Sequence, residues 1–116
     1  MIDPRDRRYL AYIREAIALI EARTLIGRDA FLDAIDVQDG VLWRLETLAE
    51  ATGKLSSALK ARHPTLRWRA IYGFRNIAAH GYLDLRLDEV WEIIEQHLPA
   101  LKAVADEELR RSSTNG

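Results

Sequence analysis

Residues 3–27, DPRDRRYLAYIREAIALIEARTLIG, decide the fold class. Asp3 followed by Pro4 has the form of a helix N-cap and first helical position, because proline has no N–H to leave unsatisfied there. Tyr9, Ile13, Ala16, Ile17 and Ile20 then recur at three- and four-residue intervals until Gly27. That spacing puts them along one face of a helix rather than on alternating sides of a strand.

The same period continues outward. A short segment around Phe31, Leu32 and Ile35 predicts a small extra helix. Asp36 is placed to cap a second long helix with the stripe Val41, Leu45, Leu48, Thr52, Leu55 and Leu59. Pro64 interrupts that stripe and opens a third helix, in which Ile71, Phe74 and Ala78 share a side with Arg67, Ala70 and Ile77 until Gly81 offers a stop. Asp88 can cap a fourth, carrying Val90, Trp91, Ile94, Leu98, Leu101, Val104 and Ala105; Pro99 inside that run should kink it or divide it in two. No hydrophobic segment alternates with period two and leads into hairpin residues. The reading is all-α: an antiparallel up-and-down bundle of four main helices plus a short extra helix. A single domain is expected over residues 1–111, with 112–116 as a frayed tail. Tyr9, Tyr12, Trp43, Trp68 and Trp91 read as core or interface packing, and any left exposed would favour a dimer.

Composition bounds the function. A chain of 116 residues, 48% hydrophobic and 30% charged, has room for one core. No apolar run approaches the roughly twenty residues that span a bilayer, so no membrane association is expected. The first eight residues are too polar for a secretory signal, which makes the cytoplasm the expected location. The absence of cysteine removes disulfides, thiolate zinc sites and thiol nucleophiles.

A formal charge of −1 hides an uneven distribution. Residues 51–83 contain no Asp or Glu, while Lys54, Lys60, Arg62, Arg67, Arg69 and Arg75 all carry positive charge. Residues 84–116 hold eight acids against four bases. The basic third is either a solvated helix face or a phosphate-binding surface, and in the second reading Lys60, Arg62, Arg67 and Arg69 are the RNA-binding candidates. His63, His80 and His97 match no local metal-ligand pattern, and there is no Gly-rich phosphate loop; neither metal nor cofactor is expected.

Within the basic third, residues 72–82, YGFRNIAAHGY, gather Arg75, Asn76, His80 and Tyr82 around a predicted helix end. A guanidinium can hold two phosphate oxygens and neutralise charge developing on them, while an imidazole titrates near neutral pH and can move a proton. RNA already carries its nucleophile, the 2′-hydroxyl, so an Arg and a His could cleave it without metal. The bland alternative has His80 capping a helix and Arg75 paired with a carboxylate. On a straight helix Arg75 and His80 would point about 140° apart, so convergence needs a loosened last turn, a groove between helices, or a second subunit.

These residues resemble the signature of the HepT-like family of the HEPN superfamily: Arg, four residues, His, one residue, Tyr, here Arg75, His80 and Tyr82, with Asn76 after the Arg. Asp39, Glu50-Ala51, Pro64, Trp68 and the last helix with its internal Pro99 are similar to the family's flanks. The chain departs from them at Ala49, where the family often has Gly. The resemblance implies a HEPN-like helical fold and a homodimer with both signatures facing one cleft. It implies metal-independent endoribonuclease activity on cellular RNA, with Arg75, Asn76 and His80 catalytic. It also implies a toxin paired with an MNT-type nucleotidyltransferase antitoxin that can transfer AMP to Tyr82. Glu50 is either a carboxylate that orients Arg75 or accepts a hydrogen bond across the bundle, or a solvated one, and stays outside the catalytic set. The competing reading is a non-catalytic HEPN module that binds a nucleotide or the partner and cleaves nothing.

Overall fold

The computed structural model describes the backbone of residues 2–80 and 86–115, and the side chains of residues 2–79 and 86–111. It is all-helical among these residues. The helices are α1 (Pro4–Arg23), α2 (Arg28–Asp33), α3 (Ile35–Gly53), α4 (Ser57–Ala61), α5 (Trp68–Tyr72), α6 (Phe74–His80), α7 (Leu87–Gln96) and α8 (Leu98–Asn115). The four principal runs of the sequence reading are α1, α3, the pair α5–α6 broken at Gly73, and the pair α7–α8 broken at His97. The last break is the division expected from Pro99, which sits in the first turn of α8.

Asp3 caps α1 as its position implied, its side chain accepting from the Arg5 N–H at 2.7 Å. The helix ends before Gly27: Thr24 folds its hydroxyl back onto the Ile20 carbonyl at 2.8 Å, and Gly27, at φ +90°, instead turns the chain into α2. Three expected helix starts are corrected. Asp36 and Asp88 lie inside the first turns of α3 and α7, whose N-caps are Ala34 and Arg86. An acid anywhere in a first turn complements the helix dipole, so its type alone does not fix the cap. Pro64 lies in a turn, and the third run starts only at Trp68. The second stripe also breaks early: α3 stops at Gly53, and Leu59 reaches the core from the separate helix α4.

The core forms where α1 lies between α3 and α8, with α6 closing over α3. Leu10, Ile13, Ile17, Leu45, Leu48 and Leu101 are fully buried there. At the α2 end, Phe31 meets Trp91 with ring centroids 5.4 Å apart. Buried Gln38 donates to the Phe31 and Leu32 carbonyls at 2.9 and 3.0 Å, satisfying the end of α2.

Two buried carboxylates fix the segment between α3 and α5. Asp6 on α1 accepts from the Ser56 N–H at 2.8 Å and the Ser56 hydroxyl at 2.6 Å, and Ser56 in turn caps α4 through the Leu59 N–H. Glu108 on α8 receives Arg62 Nη2 at 2.8 Å and Nε at 3.2 Å, together with His63 Nε2 at 2.6 Å. Trp68 completes the arrangement, its indole N–H pointing at the Lys60 and His63 carbonyls. The base of α5 is thereby tied to α1 and α8. No helix of the described residues is long and apolar enough to cross a membrane.

Candidate active site

Phe74 and Ala78 face the core of α6, so Arg75 and Asn76 turn outward, Arg75 half-buried and Asn76 exposed. Arg75 reaches across to α3: its Nη1 lies 3.1 Å from Glu50 Oε2. The same Nη1 donates to the Tyr72 hydroxyl, and the guanidinium carbon sits 5.1 Å from the centre of the Tyr72 ring. The Tyr72 ring in turn lies against bare backbone at Gly53, one turn after Glu50 on α3.

Glu50 and Arg75 are 50% and 39% exposed, so their ion pair contributes about 0–1 kcal/mol to stability and acts mainly on orientation. Among the described residues, the polar contacts of the guanidinium all run through Nη1. The edge formed by Nε and Nη2 has the geometry to take two oxygens of a phosphate. His80 closes the described part of α6, one turn beyond Asn76. Its side chain and all of Tyr82 lie outside the described residues.

The family model described as Ribonuclease HepT-like matches residues 13–108. The chain belongs to the HepT-like ribonuclease family. A protein of Thermococcus cleftensis named "Probable ribonuclease HepT" is 33% identical over 95 residues, 81% of this chain and 86% of that one. One of Caldanaerobacter subterraneus named "Putative RNase" is 31% identical over 111 residues, 90% of this chain and 95% of that one. One of Methanocaldococcus jannaschii, named as a gamma-glutamylcyclotransferase and putative RNase, is 30% identical over 95 residues; these make up 81% of this chain but 43% of that protein. No solved structure matches significantly.

In this HepT-like chain the four basic candidates from α4 to α5 divide. Lys60 and Arg69 line a recess of about 290 Å³ with Gly53, Trp68 and Tyr72, next to the Arg75 cluster. Arg67 is exposed at the start of α5. Arg62 turns toward α8, where its double hydrogen bond to Glu108 raises its pKa. The reciprocal effect, first of Arg62 and then, against the cost of burial, of His63, holds Glu108 below the usual 4.5. His63 is thus mostly buried and engaged through Nε2 in its hydrogen bond to Glu108, and His97 packs edge-on against Phe74 at 5.4 Å. Among the described residues, no three His, Cys, Asp or Glu side chains are grouped to hold a metal ion.

Glu50, left open between a bridging and a solvated role, is exposed and still reaches Arg75. Tyr72 had no assigned role, although its position three residues before Arg75 puts both on one side of a helix. Gly53 carried no signal, because only the fold brings it beneath Tyr72.

Proposed function

We propose that the chain is a metal-independent endoribonuclease in which Arg75 holds the scissile phosphate, His80 moves the proton and Asn76 positions one or the other. The observation carrying this reading is the clamp of Glu50 and Tyr72 on one nitrogen of a half-buried Arg75, which among the described residues leaves Nε and Nη2 without a polar contact, in an acid-free stretch of chain. His80 removes the proton of the RNA 2′-hydroxyl, whose oxygen attacks the adjacent phosphorus; Arg75 neutralises the phosphorane. The bond to the 5′-oxygen breaks, that oxygen takes a proton, and a 2′,3′-cyclic phosphate remains.

Positions 75 and 80 are about 140° apart around a helical axis, and α6 is helical through His80. This favours a homodimer, in which two signatures across a shared cleft supply both groups. Trp43, 61% exposed on α3, supports a surface that a second copy could cover. The same reading makes the protein a cytoplasmic toxin neutralised by an MNT-type nucleotidyltransferase. AMP transferred to Tyr82, two residues after His80 in the sequence, would add a phosphate and a nucleotide to the signature and block the cleft.

The test is cleavage of total RNA and transfer RNA in the presence of chelator, by wild type, Arg75→Ala and His80→Ala, after intact mass has established that Tyr82 is unmodified. Cleavage by wild type alone is expected. Cleavage that stops with chelator removes metal independence, and no cleavage by any of the three favours the non-catalytic binding module.

A further inference from the structure

Two recesses flank Arg75, each sharing a wall with the clamp that holds it. The first, of about 300 Å³, lies between α1 and α3: Tyr9 and Tyr12 form one side, Arg8 and Lys54 the rim, and Glu50 the wall toward Arg75. The second, of about 290 Å³, has Trp68 and Tyr72 as walls, Gly53 as floor and Lys60 and Arg69 at the rim. Gly53 and Lys54 are consecutive, so the recesses adjoin at the end of α3.

We propose that these recesses seat two unpaired bases of a single-stranded RNA, one on each side of the phosphate held by Arg75; this inference rests on the ribonuclease reading above. Each recess combines aromatic faces with two cationic side chains, the chemistry that binds a base by stacking and its backbone by charge, with little regard to sequence. One aromatic wall of each recess, Tyr12 in the first and Trp68 in the second, is held in place before any ligand arrives. The Tyr12 hydroxyl donates to Thr47 Oγ1 at 2.6 Å, and the Trp68 indole N–H is fixed by two carbonyls at 3.0 and 3.2 Å. A fixed platform loses little freedom on binding. Among the described residues Glu50 is the one acid lining either recess, and its charge is already matched by Arg75. Bases in a duplex stack on each other and cannot turn into such recesses, so the substrate is RNA whose bases are free.

The test measures anisotropy of a fluorescein-labelled eight-nucleotide RNA with every 2′-hydroxyl methylated, alone and annealed to its complement, against wild type, Tyr9→Leu and Arg69→Ala, with thermal melts of each. The single strand should bind more tightly than the duplex, and each variant should weaken single-strand binding about tenfold while leaving duplex binding unchanged. Lys54→Ala reads the first recess if Tyr9→Leu melts early. Equal loss for single strand and duplex would reduce the recesses to a general cationic face, and no loss would remove them as subsites. If Tyr9→Leu dissociates a dimer while RNA affinity per subunit stands, the first recess is an interface between copies and the proposal fails. The probe cannot be cleaved, so a protein that shows this binding pattern and cuts nothing defeats the ribonuclease reading alone. One that cuts RNA and lacks the pattern defeats only the subsites.

Discussion

The ring of Tyr72 occupies the space that a side chain at Gly53 would need: a Cβ built there would lie 2.7 Å from ring atom Cδ1, far inside normal contact. Gly53 ends α3 and Tyr72 ends α5, and this contact sets the ring beneath the Arg75 guanidinium. Gly53→Ala should therefore act on the site more than on the fold. Alanine gains up to about 1 kcal/mol of helix propensity and displaces the exposed ring, so the melting temperature should change little. Cleavage under single-turnover conditions should fall about tenfold, because Arg75 loses one of its two supports. Undiminished cleavage would show that Tyr72 does not position Arg75.

Glu50 provides the other support. Since both partners of the 3.1 Å ion pair are substantially exposed, Glu50→Ala should cost less than about 1 kcal/mol in urea unfolding. Its effect should fall on kcat, lowered about tenfold with KM nearly constant, because the guanidinium would sample orientations unsuited to the transition state. Glu50→Gln, which keeps an oxygen facing Nη1, should recover most of that loss. If Ala and Gln behave alike, orientation of Arg75 does not come from α3.

The helical periods of α1, α3 and α8 were legible because burial of one face repeats along the chain, and every stripe position singled out on α7 and α8 is buried. The breaks were not legible, since they depend on partners distant in sequence. α4 separates from α3 where Asp6, 50 residues earlier, captures Ser56, and the turn after α4 is held by Glu108, 46 residues beyond Arg62. The candidate site divides in the same way. Arg75, Asn76 and His80 stand out by residue type and spacing within one short stretch. What fixes Arg75 comes from α3 and from the end of α5, and sequence alone does not distinguish Arg62, which the fold pairs with the buried Glu108, from Lys60 and Arg69, which line a recess.

Asp6 and Ser56 are a second test of that dependence on distance. The Asp6 carboxylate is 3% exposed and accepts both a backbone and a hydroxyl hydrogen. Asp6→Ala should destabilise the protein by about 2–3 kcal/mol, since it strands a partly buried N–H as well as removing a charged acceptor. Ser56→Ala should cost about 1–2 kcal/mol, combining loss of the α4 cap with loss of one bond to Asp6. The double variant should lose less than the sum, with a coupling of at least about 0.5 kcal/mol in a urea-denaturation cycle. Strict additivity would mean that the two side chains act separately.

Glu108 makes stability depend on pH in a definite direction. Its carboxylate is 1% exposed, and the Arg62 hydrogen bonds hold its folded pKa below the usual 4.5. The unfolded chain therefore binds the proton more readily, and stability contributed by the ionised form is present above about pH 4.5 and lost as pH falls through the lowered folded value. At pH 7, Glu108→Gln should cost on the order of 2 kcal/mol, less than the roughly 3–5 kcal/mol of breaking a fully buried pair, because Arg62 is 38% exposed and can turn to water. In urea unfolding at pH 7, 4 and 3 the gap between wild type and Glu108→Gln should narrow as pH falls, since acid gives the wild type the same neutral group. A gap that stays constant to pH 3 would show that the ionised carboxylate is not what stabilises the fold. The narrowing should be accompanied by a change in Trp68 fluorescence, because the His63 carbonyl that receives the indole N–H belongs to the residue whose imidazole Glu108 holds.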